Sequence, residues 1–141
     1  MLSIDKVEPA RAIRVWSAVG QRAPVATTSM GRALLAARRV PDDLLDVYLQ
    51  SLPPERITRD RLRDEVDAAR RRGYATELEE NEPGVACLGM ALLRGDQPIA
   101  AFSITSLAER LTTRRQAELA ELIRRELSAT LPDGIRLQPA P

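Results

Sequence analysis

The side chain with the most reactive chemistry in this chain is its single cysteine, Cys87, which follows a run of acidic residues. A cysteine becomes a nucleophile when a neighbouring base takes its proton, and histidine is the commonest such base. The chain contains no histidine. An enzyme built on Cys87 would therefore have to use Glu77 as a substitute base, and we expect no catalytic residue here.

The same residues could be considered as metal ligands. Zinc sites in proteins combine cysteine and carboxylate ligands with histidine, at recognisable spacings. A set made of Glu77, Glu80 and Cys87 has neither a histidine nor a recognisable ligand spacing. We therefore expect no metal site and no cofactor. On its own, Cys87 is most simply interpreted as a small buried hydrophobic residue.

Composition describes an ordinary globular domain. The 141 residues fit one domain, and the hydrophobic share of 44% and charged share of 29% are typical of soluble proteins. No apolar run reaches the roughly 20 residues that span a bilayer. A lone cysteine and the lack of a secretion leader predict a cytoplasmic protein. The net charge of +1 offers no basic excess for DNA.

Two segments, 85–93 and 99–105, alternate in side-chain size as β-strands do. Pairing Cys87 with Ser103 keeps the small residues together on one face of a hairpin and leaves 94–96 as a three-residue loop. That face is short and partly polar, so either a helix packs unusually close to it or it leaves space for a small molecule. The face carries Cys87, Gly89, Ala101, Ser103 and Thr105.

Other elements follow from periodicity and capping residues. Strands are predicted over 2–7 and 11–19. A helix capped by Thr28 or Ser29 is expected to face the core with Met30, Ala33, Leu34 and Ala37, and a short helix to start near Pro41. A third helix, over 58–72, would bury Leu62, Val66 and Ala69 and end at Gly73. A last helix would begin with a Thr113/Gln116 capping box. Its buried residues would be Ala120, Ile123 and Leu127.

Five segments, in this order, resemble the C-terminal effector-binding domain of the isocitrate lyase regulator (IclR-type) family of bacterial transcription regulators. They are the Val19-Gly20 strand end, ATTSMGRALLA at 26–36, LRDEVDAARRRGYATELEE at 62–80, GVACLGMAL at 84–92 and IAAFSITS at 99–106.

The resemblance implies an α+β fold, a GAF-like or profilin-like curved and mainly antiparallel sheet with helices on its faces. It also implies that 1–131 is an effector-binding domain that is N-terminally incomplete, since the family usually has a helix and a strand before the position of Leu2. Residues 132–141 are expected to be a loosely held tail. The family's DNA-reading winged helix-turn-helix is not expected in this chain.

The resemblance further implies a pocket for a small organic acid or aromatic metabolite, with homodimers or tetramers as the assembly and DNA as a partner only through the missing module. A module for dimerisation with a vestigial pocket is the alternative. The pocket residues implied by the family motifs are Thr28, Ser29, Met30, Glu77, Val85, Cys87, Ser103 and Thr105.

Overall fold

Helices and strands account for most of the chain from Ser29 onward. The structure, a computed structural model, describes residues 1–7, 19–50, 52–53 and 55–140. The helices are α1 (Ser29–Arg38), α2 (Leu45–Leu49), α3 (Arg59–Arg72) and α4 (Thr113–Ser128). The strands are β1 (Ala75–Leu78), β2 (Val85–Arg94), β3 (Gln97–Leu107) and β4 (Ile135–Leu137). No helix in these ranges is long and apolar enough to cross a membrane.

The four strands form one antiparallel sheet centred on β2. Strand β3 pairs along β2 on one side, and β1 pairs with residues 86–89 on the other. Strand β4 pairs with 92–94, beyond the end of β1. The mainly antiparallel α+β fold predicted from the sequence is confirmed.

The predicted hairpin register is wrong by two residues. Cys87 lies opposite Thr105, and Ser103 lies opposite Gly89. The turn is the two-residue Gly95-Asp96, where Gly95 adopts a positive φ of 58° that suits tight hairpins, and an irregularity near Leu92 accommodates the extra residue. A two-residue shift keeps every side chain on its face, so the alternation could not distinguish the two registers.

The sheet separates two apolar clusters. Helices α1 and α3 cover the face that carries Ala75 and Ala91, while α4 covers the face that carries Leu88 and Met90. The small face of the predicted hairpin is therefore the one that packs against α1. Glycine and alanine on this face allow a helix to approach the sheet closely.

Helix α3 agrees with the prediction: it buries Leu62, Val66 and Ala69 and ends at Gly73, whose φ is 73°. Helix α4 begins one residue earlier than a capping box at Thr113 requires, because the Thr112 hydroxyl accepts from the Arg115 amide. Gln116 then turns inward and donates to the Leu111 carbonyl.

The buried face of α1 also differs from the prediction. Ser29, Arg32, Ala33 and Ala36 are buried, whereas Met30, Leu34 and Ala37 are only half-buried. Hydrophobicity favoured a face with methionine and leucine at its centre. The structure instead centres the face on small residues and on an arginine whose charge is fully paired.

The two ends of the chain depart from prediction as well. Between residues 1 and 7 the expected strand is reduced to a single bridge from Leu2 to Arg22. The second predicted strand falls mostly on 11–18, outside the described residues, and Val19 lies in a turn. The tail from residue 132 onward was expected to be loosely held, but residues 135–137 form β4. Gln138 is also buried, and its backbone amide donates to the Ala91 carbonyl.

Candidate functional site

Three of the predicted site residues form a row across the sheet. The strand registers place Glu77 opposite Cys87 and Cys87 opposite Thr105, all on the face that packs against α1. The Cys87 sulfur lies 3.3 Å from the Thr105 hydroxyl oxygen. Glu77 is only 3% exposed, Cys87 is half-buried and Thr105 is exposed, so the row runs from the interior to the surface.

Next to this row, α1 approaches the sheet at Gly89. A Cβ on Gly89 would lie 2.6 Å from the Ser29 carbonyl carbon and 2.8 Å from the Met30 nitrogen. Of the two explanations for the small face, close helix packing therefore holds at this position. The first amides of a helix have no acceptor within the helix, and in α1 the Met30 nitrogen lies against Gly89 of the strand that carries Cys87.

The other predicted residues surround this contact. Ser29 is buried, Met30 is half-buried, and Ser103 lies beside Gly89 on the neighbouring strand. The Thr28 hydroxyl caps α1 by accepting from the Gly31 amide and donates to the Pro24 carbonyl, so the protein itself uses it. Val85 pairs with Leu107, beyond Cys87 on the side away from Gly89.

The buried Glu77 holds the loop that follows β1. Its Oε1 accepts from the backbone amides of Glu80 (2.7 Å) and Asn81 (3.2 Å). A carboxylate in the implied pocket is also able to accept a hydrogen bond from a ligand. One carboxylate oxygen is already committed to the loop, so any ligand contact of this kind would use the other.

Sequence reasoning missed the most important charged residue near the site, Arg32. Its side chain is fully buried and donates to the carbonyls of Ala26 (2.8 Å) and Thr76 (3.0 Å) and, through two nitrogens, to both carboxylate oxygens of Glu80. Glu80, which was considered from the sequence only as a metal ligand, is therefore the ion-pair partner of a buried arginine. No signal within α1 could have found Arg32, because its partners Thr76 and Glu80 lie 44 and 48 residues away in the chain.

The acidic loop is also tied to the start of α1. The Asn81 side chain donates to the Thr27 carbonyl (2.6 Å) and accepts from the Thr27 hydroxyl (3.1 Å), and Thr27 is fully buried. The turn 79–82 thus forms one rim of the polar row, next to the N-terminus of α1.

The Cys87 thiol is poorly suited to nucleophilic chemistry. Burial raises its pKa to about 11, the Thr105 hydroxyl partly offsets this, and the nearby carboxylates of Glu77 and Glu82 raise the pKa further. The reactive form of cysteine is the thiolate, so little of it exists at neutral pH.

This pKa leads to a first prediction. In the folded protein, the rate at which a thiol reagent modifies Cys87 should rise about tenfold for each pH unit between about pH 7 and pH 10, because the thiolate fraction does so below the pKa. The chain has no other cysteine, so the measurement reports Cys87 alone. The urea-unfolded chain is the control, with a plateau at pH values above roughly 9. The same plateau in the folded protein would contradict the raised pKa.

Two clefts in the described part of the chain lie away from the polar row. A cleft of about 770 Å³ lies on the side of α4, where Leu78, Leu107 and Thr112 are among its lining residues. A second, of about 430 Å³, lies between α2 and the start of α3. The predicted site residues line neither, and their row forms a shelf that is open at Thr105.

The chain is similar to bacterial transcription regulators. A family model described as "Bacterial transcriptional regulator IclR C-terminal" matches residues 1–129. The HTH-type transcriptional regulator XynR of Escherichia coli (strain K12) is 33% identical over 122 residues, which are 83% of this chain and 47% of that protein. The repressor AllR of the same organism is 28% identical over 145 residues, 96% of this chain and 52% of that protein.

Solved structures show the same relation. The IclR protein of Thermotoga maritima matches with a TM-score of 0.69 and 30% identity, over 86% of this chain and 51% of that one. An IclR-family regulator from Rhodococcus sp. matches with a TM-score of 0.75 and 27% identity, over 94% and 53%. The chain thus spans about half the length of these relatives.

Proposed function

The chain belongs to the IclR family of bacterial transcription regulators as their C-terminal regulatory domain, and from this we propose that it binds a small organic effector on the shelf beside α1. Its relatives are regulators, and it is not an enzyme. DNA binding would belong to a further domain of a longer cytoplasmic protein. Effector occupancy would then control that domain, within a homodimer or tetramer.

The observation that supports the proposal most directly is the convergence of the α1 N-terminus with a surface row of polar side chains. Helix N-termini and hydroxyl groups bind carboxylates without a charged partner. Arg32, the buried cation within α1, already donates to Glu80, Ala26 and Thr76. The carboxylate of an organic acid would therefore bind to the amides of Ser29 and Met30, which precede the capped Gly31 amide, and to the hydroxyls of Ser103 and Thr105.

The shape of the site indicates which part of the effector lies where. Glu77 lies at the inner end of the row and would repel a carboxylate close to it. A hydroxyl, amine or amide of the effector fits there, next to the neutral Cys87 thiol. The effector class that best suits this arrangement is a small hydroxy-substituted aliphatic or aromatic acid.

A thermal-shift screen with aliphatic hydroxy acids and hydroxybenzoates tests the proposal. A ligand that binds only the folded state stabilises it and therefore raises the melting temperature. At a concentration 100 times its dissociation constant, the ligand adds about 2.7 kcal/mol to the free energy of unfolding. We expect Ser103→Leu to abolish the shift of the best ligand while the protein stays folded, because the substitution removes a hydroxyl and fills the shelf. Ser128→Leu, on the exposed end of α4, is the control and should keep the shift.

If no acid in the screen shifts the melting temperature, the dimerisation module with a vestigial pocket becomes the better description. A shift that survives Ser103→Leu would instead remove Ser103 from the site. Sedimentation of the same samples measures the oligomeric state, so the two functions can be separated with one preparation.

A further inference from the structure

The turn 79–82 makes polar contacts with α1, α3, β1 and Thr27, in addition to the backbone bond from Glu79 to Val85 of β2. Glu80 receives both terminal nitrogens of Arg32 from α1 and lies 3.5 Å from Arg61 of α3. Asn81 exchanges two hydrogen bonds with Thr27. Glu77, on β1, accepts from the backbone of the turn.

The most deeply buried of these groups is the Arg32 guanidinium. Its side chain is 1% exposed, against 11% for Glu80 and 57% for Arg61. A buried charge is costly unless it is paired and hydrogen-bonded, so the position of Glu80, and with it the turn, is set by the need to neutralise Arg32. The exposed Arg61 adds little to this, because solvent screens it.

Resting on the function proposed above, we propose that Arg32 is a positioning residue for the effector site: it holds the turn 79–82 as the rim of the shelf and contacts no effector. The segment ATTSMGRALLA then has two separate tasks. Its first residues present amides to the ligand, while Arg32, one turn later, holds the adjacent turn 79–82 in place. Loss of the Arg32–Glu80 pair would open the rim without changing the polar row itself.

The single cysteine reports the state of the rim without any effector. Cys87 lies opposite Glu77, whose carboxylate holds the turn, so movement of the turn exposes the thiol. The carboxylates that raise the pKa of Cys87 are those of Glu77 and Glu82. Neutralising Glu80 therefore changes access to the thiol more than its protonation.

The test compares Glu80→Gln with wild type by the rate of modification of Cys87 with dithiobis(nitrobenzoate) at one pH, and by hydrogen exchange of the Glu80 and Asn81 amides. We expect both rates to rise at least about tenfold, as for the loss of a hydrogen bond to a charged group. Glu118→Gln removes an exposed carboxylate paired with Arg114 on α4, and it should change neither rate.

Arg32→Lys is the second variant, in case Glu80→Gln does not fold; it should also speed both reactions, because lysine keeps the charge but lacks the planar fork that donates to both oxygens of Glu80. Asn81→Ala tests the separate attachment of the turn to Thr27. It removes the two bonds to Thr27 from an exposed residue and leaves no buried charge unpaired, so it should fold and should also speed both reactions. Glu80→Asp keeps the carboxylate. If both rates rise in Glu80→Gln but stay near the wild-type values in Glu80→Asp, the carboxylate itself positions the turn.

The outcomes separate the two proposals. Unchanged exchange and labelling rates in folded Glu80→Gln, or in Arg32→Lys where Glu80→Gln does not fold, would overturn the role of Arg32, whatever the ligand screen shows. Faster rates combined with a wild-type protein that responds to no acid would support the role of Arg32 and refute effector binding.

Discussion

Replacing Arg32 with methionine should lower the free energy of unfolding by about 3–5 kcal/mol, the cost of removing one partner from a buried ion pair. The substitution leaves the Glu80 carboxylate without its bidentate donor. It also leaves the carbonyls of Ala26 and Thr76 without the hydrogen bonds that the guanidinium donates. Urea unfolding followed by circular dichroism measures the loss.

The control is the same substitution in an exposed pair. Arg114→Met removes the contact with Glu118 on the surface of α4, and we expect it to cost less than about 1 kcal/mol. Combining Arg32→Met with Glu80→Met should recover part of the loss, since no buried charge then remains unpaired. A cost for Arg32→Met as small as that for Arg114→Met would contradict the burial of the pair.

The second large effect concerns Gly89, where a side chain would collide with backbone atoms and not with a flexible side chain. Gly89→Ala should destabilise the protein by about 1–3 kcal/mol, and Gly89→Val by more, because α1 must move away from β2 to make room. Both variants should also shift the α1 amides that the proposed site uses. Urea unfolding and the ligand-induced thermal shift measure the two consequences separately.

Thr105→Val serves as the control for Gly89. It places a β-branched side chain on the same face of the sheet, at an exposed position one row away, and should change stability by no more than about 0.5 kcal/mol. If Gly89→Val is as stable as Thr105→Val, then α1 does not lie against the sheet as described.

Several features of the site were predictable from local sequence. Alternation in 85–93 and 99–105 assigned Cys87, Ser103 and Thr105 to one face correctly, because the side-chain period of a strand is two. A closely packed helix was one of the two explanations that the small face around Gly89 left open, and the hydroxyl residues before Met30 predicted the start of α1. The family was predicted from motif order, and the match over residues 1–129 confirms it.

Features that depend on residues far apart in the chain were not predictable. Arg32 finds its partners at Thr76 and Glu80, 44 and 48 residues later, so its burial could not be read from the helix alone. The hairpin register depended on a turn and an irregularity that preserve the alternation. Strand β4 forms because 92–94 of β2 extend beyond β1, which no pattern within 135–137 indicates.

The sequence by itself determined the type and order of the central elements, the face on which each strand residue lies, and the family. These depend on local periodicity and on capping, which act over a few residues. Only the tertiary structure decided that α1 packs against Gly89 and that an arginine can be buried in its inner face. Both depend on the geometry between elements, since a buried charge is stable only where folding brings its partners to it.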